Sequence, residues 1–253
     1  MQRYFAKDES LTLNDSDYHH IKKVMRMKTG DVYEVVYDNV VYKCKITDND
    51  FSYEILEKYK VESSKREIII AFSLLKEQKL DYVLQKGTET GASSFIPLIT
   101  KRSVIKFDKG KEISKLKRWN TIAKEASEQC FRPDIPEIKK VMTIDELINV
   151  SADLKILLTL NEKSKNIKKV IKKNNKCDKI IIVIGPEGGF EDVEEKKLIE
   201  NGFVSVTLGK NVLRAETAPI VALSMINYEF MRWVVWKIYL QPFPILLIIF
   251  TII

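Results

Sequence analysis

The chain reads as an α/β protein in two parts: a small β-rich unit over residues 1–62 and a larger unit over 67–230 built on a parallel sheet. Three observations predict this. Short runs rich in Val, Tyr and Ile, separated by turn residues, fill the first sixty positions. From Glu67 onward, continuous apolar runs such as Ile68–Phe72 and Lys179–Ile184 alternate with segments of three-to-four-residue periodicity. The chain also has nine glycines, and five of them (Gly185, Gly188, Gly189, Gly202, Gly209) fall within 25 residues, four of these (all but Gly202) after two predicted buried strands.

In the first part, strands are expected at Asp31–Tyr37, Val40–Ile46 and Phe51–Leu56, divided by Asp38-Asn39 and by Thr47-Asp48-Asn49-Asp50. A helix is expected from Ser16 to Met25, with Ile21, Val24 and Met25 as its apolar side. A β module of this size closes into a barrel or a compact sheet. The polar stretch Glu57–Arg66 reads as a linker.

In the second part, the strand Ile68–Phe72 precedes a helix at Glu77–Thr90 that ends at Gly91, and then a strand at Ser94–Ile99 interrupted by Pro97. Ile113, Leu116, Trp119, Ile122, Ala123, Ala126 and Cys130 mark a helix over Lys111–Cys130. A short helix at Ile144–Asn149, a strand at Leu154–Leu160, a helix at Ser164–Lys173 and a strand at Lys179–Ile184 follow. Asp192 and Glu195 open a helix at Val193–Glu200 in capping-box fashion and Gly202 closes it. A strand at Phe203–Leu208 and a helix from Thr217 complete the series. Strands alternating with helices imply right-handed crossovers and a parallel sheet.

Composition removes several classes. The chain has 253 residues, 45% of them hydrophobic and 30% charged, the balance of a soluble globular protein. The net charge of +7 permits a polyanionic partner. Cys44, Cys130 and Cys177 are far apart and odd in number, which argues against a disulfide framework. The only histidines are His19 and His20, and no Cys-x-x-Cys occurs, so no metal site is expected. The charged start Met1–Asp8 does not read as a secretory signal, and a reduced cytoplasmic setting fits.

The glycine loops carry the functional signal. Gly185-Pro186-Glu187-Gly188-Gly189-Phe190 and Gly209-Lys210-Asn211-Val212-Leu213-Arg214 each follow a predicted buried strand. Glycine is needed where backbone takes positive φ or approaches something closely. Ligands of open parallel sheets bind outside the carboxyl ends of the strands. An ordinary tight turn would account for either loop alone; two on one edge point to a backbone-lined pocket. The first loop lacks the Lys-Ser/Thr of a phosphate-cradling loop and is not G-x-G-x-x-G, which disfavours ATP and NAD. Apolar Ile184, Leu208, Val212 and Leu213 around such backbone suit a flat heterocycle such as adenine.

Ile182–Phe190 and Leu208–Ala218 together resemble the paired signature of the bacterial small-subunit (16S) rRNA uridine-N3 methyltransferases of the SPOUT superfamily. The resemblance extends to His19–Asp31, Leu80–Gly91, Lys101–Val104 and Arg118–Cys130, and covers roughly residues 1–230. It implies an N-terminal PUA-like β-barrel for RNA and a C-terminal SPOUT α/β domain with a trefoil knot, acting as a homodimer. S-adenosylmethionine would sit among Leu160, Ile184, Gly185, Glu187, Gly188, Gly189, Leu208, Gly209, Val212, Leu213, Thr217 and Ala218. The partner would be 16S rRNA or the assembled small subunit. Where an Arg-Asn-Arg-like stretch is common in the family, this chain has Phe131-Arg132-Pro133-Asp134.

Methyl transfer to uridine N3 requires loss of the imino proton, so it needs a base or a cation beside the carbonyl oxygens. Arg214 is expected as orienter or electrostatic stabiliser, and Glu216 as base or loop anchor. Glu187 either binds the cofactor or satisfies backbone donors. Arg3, Lys22, Lys23, Arg26, Lys28, Lys101, Arg102 and Arg132 are candidate phosphate contacts, and His20 a base-stacking one. The lysine run 163–176 reads as a solvated helix face. The alternatives are a SPOUT 2′-O-ribose methyltransferase, whose Ser-Leu-Asn-like segment is replaced here by Val212–Thr217, and a non-catalytic ribosome-assembly factor.

Residues 231–253 form an apolar segment broken by Pro242 and Pro244, and Ile245–Ile253 is too short for a span of about 20 residues. It reads as an atypical extension, with a membrane or partner anchor as the alternative.

Overall fold

The computed structural model describes residues 1–61 and 66–230, so the tail and part of the expected linker lie outside the described residues. In the first part, β1 (Arg3–Phe5), β2 (Val32–Tyr37), β3 (Val40–Ile46) and β4 (Tyr53–Lys60) form a four-stranded sheet in that order. β1 pairs parallel to β2, and the rest is antiparallel. Asp38 and Asn39 both have positive φ (46° and 59°), the two-residue turn geometry that follows strand twist. Tyr4, Leu13, Ile21, Tyr33, Val35, Cys44 and Ile46 make the small core.

Three expectations change here. The helix is shorter: α1 covers Asp15–His19 and a single π-helical turn, His20–Val24, follows. Of the expected apolar side only Ile21 is buried, whereas Val24 and Met25 are exposed. Glu57–Lys60, taken as linker, continue β4, whose charged and exposed residues suit an unpaired sheet edge.

The second part is a parallel sheet in the order β11-β9-β10-β5-β6-β7, with β8 also on β6. Its strands are β5 (Glu67–Ser73), β6 (Ser94–Ile99), β7 (Glu137–Ile138), β8 (Met142–Thr143), β9 (Leu154–Leu158), β10 (Lys179–Ile184) and β11 (Phe203–Val206). The helices are α2 (Glu77–Glu89), α3 (Glu112–Gln129), α4 (Ile144–Leu147), α5 (Ile167–Lys173), α6 (Asp192–Glu200) and α7 (Ala218–Phe230).

The period-two alternation of buried strands divides the core into two faces. Ile68, Ile70 and Phe72 of β5 and Ile180, Ile182 and Ile184 of β10 pack with α2, α3, α5 and α7. Ile69, Ala71, Ile181 and Val183 face the other way, against Ile144, Leu147, Phe190 and Leu198. Each such side chain removed from water contributes about 1.5–3 kcal/mol, so both faces are required.

Pro97 does not interrupt β6. It pairs with Phe72 on one side, while on the other β7 meets Ser94 and Phe95 and β8 meets Leu98 and Ile99. The missing N–H thus falls in the gap between β7 and β8. The capping box of α6 lies one residue earlier than expected, on Glu191 and Glu194. Glu195 is instead buried and accepts from Thr159 Oγ1 (3.0 Å) and Asn161 Nδ2 (2.9 Å). β9 and β11 each stop two residues short of expectation, because Thr207 leaves β9 to bridge Asn166. α4 is two residues shorter, and α5 starts at Ile167, where Asn166 accepts from the Lys168 N–H.

The two parts share a polar seam. Arg3, only 5% exposed, donates to Glu34 Oε2 (2.9 and 2.6 Å) and to the carbonyls of Phe131 and Arg132 beyond α3. Lys124 of α3 donates to Asp17 Oδ1 and to Glu128 Oε1, both at 2.6 Å. Burial disfavours the Lys124 ammonium, but these carboxylates outweigh it and raise its pKa above the ordinary lysine value.

Candidate functional site

The carboxyl edge of the large sheet is tied together by buried hydroxyls. Ser73, at the end of β5, donates to the Ile184 carbonyl (3.3 Å) and accepts from Thr100 (3.1 Å) beyond β6. β9 lies between β10 and β11, with Leu158 paired to Ile184 on one side and Val206 on the other. Both glycine loops therefore leave the same edge, with the β9 loop and Leu160 between them.

The first loop is a turn closed by the Gly189 N–H on the Pro186 carbonyl (2.8 Å). A Cβ at Gly185 would lie 3.1 Å from the Phe190 ring, so this position has no room for a side chain without displacing a core aromatic. The second loop starts at Gly209, whose φ of +147° lies in glycine territory, and Thr207 Oγ1 accepts from its N–H at 3.3 Å. The loop ends in a turn where the N–H groups of Thr217 and Ala218 reach the Arg214 carbonyl (2.9 and 3.0 Å) and α7 begins.

Lys79, in the first turn of α2, joins the two loops. Its Nζ lies 2.6 Å from Glu187 Oε1 and 3.7 Å from Glu216 Oε2. The Lys79 hydrogen bond holds the Glu187 carboxyl below its ordinary pKa, and the same bond lifts the Lys79 ammonium above its own. Arg214 is close enough for its charge to oppose that rise. Glu216 is largely buried, and its Oε2 has no hydrogen-bond donor among the described residues. The sequence reading missed Lys79. The signal was a cation in the first turn of a helix, where the macrodipole disfavours it.

The structure thus brings Glu187, Arg214 and Glu216 together. Ile184 is buried, Leu208 packs partly against the core, and Leu213, Thr217 and Ala218 are half-buried along the second loop. Leu160 and Val212 are 65% and 74% exposed, apolar side chains without cover. Gly188 accepts from Arg102 Nη1 (3.1 Å), so Arg102 braces the first loop.

Two expected phosphate contacts need correction. Arg3 is buried in the seam on Glu34 and two carbonyls. Arg132 donates to the Thr88 and Ala92 carbonyls (2.9 and 2.8 Å) at the end of α2 and pairs with Asp134 (2.7 Å). Both guanidiniums hold backbone carbonyls inside the fold, and only 14% of the Arg132 side chain is exposed. His20 is half-buried with Nδ1 2.9 Å from the Tyr4 hydroxyl. Lys22, Lys23, Arg26 and Lys28 are all exposed on one short stretch, and Lys168, Lys169, Lys172 and Lys173 form the solvated face of α5. Among the described residues there is no group of His, Cys, Asp or Glu able to hold a metal. No described helix is long and apolar enough to cross a membrane.

Comparison with known proteins extends this picture. Residues 62–227 match the RNA methyltransferase domain family and residues 13–56 the RNA methyltransferase PUA domain. Ribosomal RNA small subunit methyltransferase E of Bacillus subtilis (strain 168) is 36% identical, over 90% of this chain and 97% of its own length. The protein of that name from Mesomycoplasma hyopneumoniae (strain 232) is 33% identical, over 88% and 98%. Among solved structures, the enzyme of that name from Neisseria gonorrhoeae bound to S-adenosyl methionine superposes with a TM-score of 0.80. It is 25% identical, over 91% of this chain and 98% of that one. A Legionella pneumophila structure described as a methyltransferase with bound cofactor SAM gives 0.78 at 28% identity, over 90% and 97%.

Proposed function

The chain belongs to the RNA methyltransferase family, and from that premise we propose that it transfers a methyl group from S-adenosylmethionine to N3 of a uridine in small-subunit (16S) rRNA. The observation that carries the reading is the Lys79 bridge between a carboxylate on each glycine loop. Two features fit the cofactor: a first loop with no room for a side chain at Gly185, and uncovered apolar Leu160 and Val212 beside backbone-rich turns. Residues 184–189 and 208–218 would hold it, with Leu160 against its apolar side.

When bound, S-adenosylmethionine supplies a methyl carbon on positively charged sulfur, whose C–S bond breaks as the N3–C bond forms, the electron pair returning to sulfur. The remaining work belongs to the chain. Glu187 is occupied by Lys79 and held ionised, which suits a loop anchor better than a base. Glu216 Oε2 is buried and lacks a donor, so an imino N3–H fits there as hydrogen-bond partner and proton source. Arg214, exposed in the same cluster, stabilises negative charge developing on the uracil carbonyl oxygens. The first turn of α7 adds a positive field at that point. Lys22, Lys23, Arg26 and Lys28 take the RNA phosphates, since Arg3 and Arg132 are engaged inside the fold.

The reading includes an RNA-binding unit over 1–62, a catalytic unit over 67–230 with a trefoil knot, a homodimer, and a cytoplasmic site of action. Mass spectrometry of rRNA nucleosides from cells lacking the protein tests it. One 3-methyluridine is expected to disappear, and an unchanged profile refutes the reading. Calorimetry with S-adenosylmethionine separates it from an assembly factor: no binding by the folded chain would favour the latter.

A further inference from the structure

Lys79 poses a question that the proposed function leaves open. A lysine in the first turn of a helix faces the positive end of the macrodipole, which disfavours it. As a half-buried brace for Glu187 alone it would recover little, since solvent screens such a pair. Yet the ammonium lies between carboxylates from two different loops, 108 and 137 positions away along the chain. It donates a hydrogen bond to only one of them. The nearer oxygen of the other, Glu216 Oε2, is buried within ion-pair reach and has no donor among the described residues. The cluster therefore has one carboxylate satisfied and one whose buried oxygen lacks a donor among the described residues.

We infer that Lys79 is a positioning residue for methyl transfer: it ties the Glu187 loop to the Glu216 loop and holds the Glu216 carboxylate in place, with Oε2 left as an unpaired acceptor for the uracil N3–H. This rests on the proposed reading of the site. It also gives the site a preference between pyrimidines, because cytosine presents a lone pair at N3 where uracil presents a hydrogen, and a carboxylate oxygen repels the former. The charged group facing Glu216 is Lys79 from α2, and Arg214 of the second loop acts on that same ammonium. Glu187 from the β10 loop and Lys76 before α2 complete the cluster.

The test compares full-length wild-type chain with K79M and K79R. Without the ammonium, kcat at saturating S-adenosylmethionine should fall about 10- to 100-fold, the scale of a reacting group displaced by about an ångström. KM for the RNA should move less than about twofold, since Lys79 is not among the phosphate contacts. K79R should recover most of the rate. Calorimetry gives a readout independent of turnover: S-adenosylmethionine should bind K79M about tenfold more weakly, as the Glu187 loop loosens, a loss of about 1.4 kcal/mol. Unchanged kcat, a KM for the RNA that rises as far as kcat falls, a K79R chain no faster than K79M, or a K79M chain that no longer folds would each overturn the inference and leave Lys79 as a loop brace. If wild-type chain makes no 3-methyluridine, the proposed function fails, and calorimetry alone decides the role of Lys79.

Discussion

Gly87 in α2 sets two effects of opposite sign against each other, so substituting it with alanine tests how the helix sits on the sheet. Helix propensity alone favours alanine over glycine by about 1 kcal/mol. Packing opposes it. The added Cβ would lie 2.7 and 2.8 Å from two carbons of the Phe95 ring and 3.4 Å from Ile70 Cδ1. Phe95 is fully buried and meets Phe72 edge-on, with centroids 6.4 Å apart, so its ring cannot move without disturbing the core beneath α2. Overpacking of this kind costs about 1–3 kcal/mol, and contacts under 3 Å to a buried ring set it against the propensity gain. Net of the propensity gain, Gly87→Ala should destabilise the chain by up to about 2 kcal/mol and lower its melting temperature by up to roughly 8 °C, at about 2–4 °C per kcal/mol for a domain of this size. Differential scanning fluorimetry with wild-type chain alongside is sufficient. A rise in melting temperature would show that α2 stands off the sheet farther than described. Lys79 is two turns along the same helix, about 12 Å away, so a displaced α2 would also weaken S-adenosylmethionine binding.

Three further outcomes follow from other parts of the molecule. The N–H groups of Lys165 and Ser164 hold the exposed Glu162 carboxyl down to about 2. Its stabilisation is therefore complete above the ordinary carboxyl value of 4.5 and lost as pH falls from there towards 2. Glu162→Gln should melt below wild type at pH 7, with the gap closing under acid; equal melting at pH 7 would refute this. Arg102→Ala removes the donor to the Gly188 carbonyl and should weaken S-adenosylmethionine binding roughly fivefold, about 1 kcal/mol for such a bond, in calorimetry. Unchanged affinity would separate Arg102 from the loop's geometry. Burial pushes the Cys44 thiol up to about 11, so iodoacetamide at pH 8 should leave it unmodified until the chain unfolds, as peptide mass mapping would read. Rapid labelling of folded protein would contradict its placement in the small core.

The sequence revealed more of the fold than of the site. β10 was legible to the residue because a strand buried on both faces must be apolar throughout, and Lys179–Ile184 has turn chemistry on either side. β1 was not, since three residues carry no period and its partner β2 lies about thirty positions away. β7 and β8 are shorter still. Pro97 was misread because its tolerance depends on what lies on the far side of β6, which no local pattern records. At the site, the glycine loops were legible as backbone signals. Lys79 was not, since a cation in the first turn of a helix marks a local oddity but not the two carboxylates it meets only after folding. Arg3 and Arg132 failed for the opposite reason: composition counts cations, but only packing decides which of them hold carbonyls inside and which reach solvent.

The seam at Arg3 and Lys124 limits how this protein could be recombined. A foreign amino-terminal module grafted onto residues 66–230 would strand the Phe131 and Arg132 carbonyls, and leave Lys124 with Glu128 but without Asp17. To dock, the newcomer would have to bring a guanidinium on its first strand and an acid facing α3. The two halves are thus matched like plug and socket, and a chimaera ignoring those two pins would carry its RNA reader on a swivel.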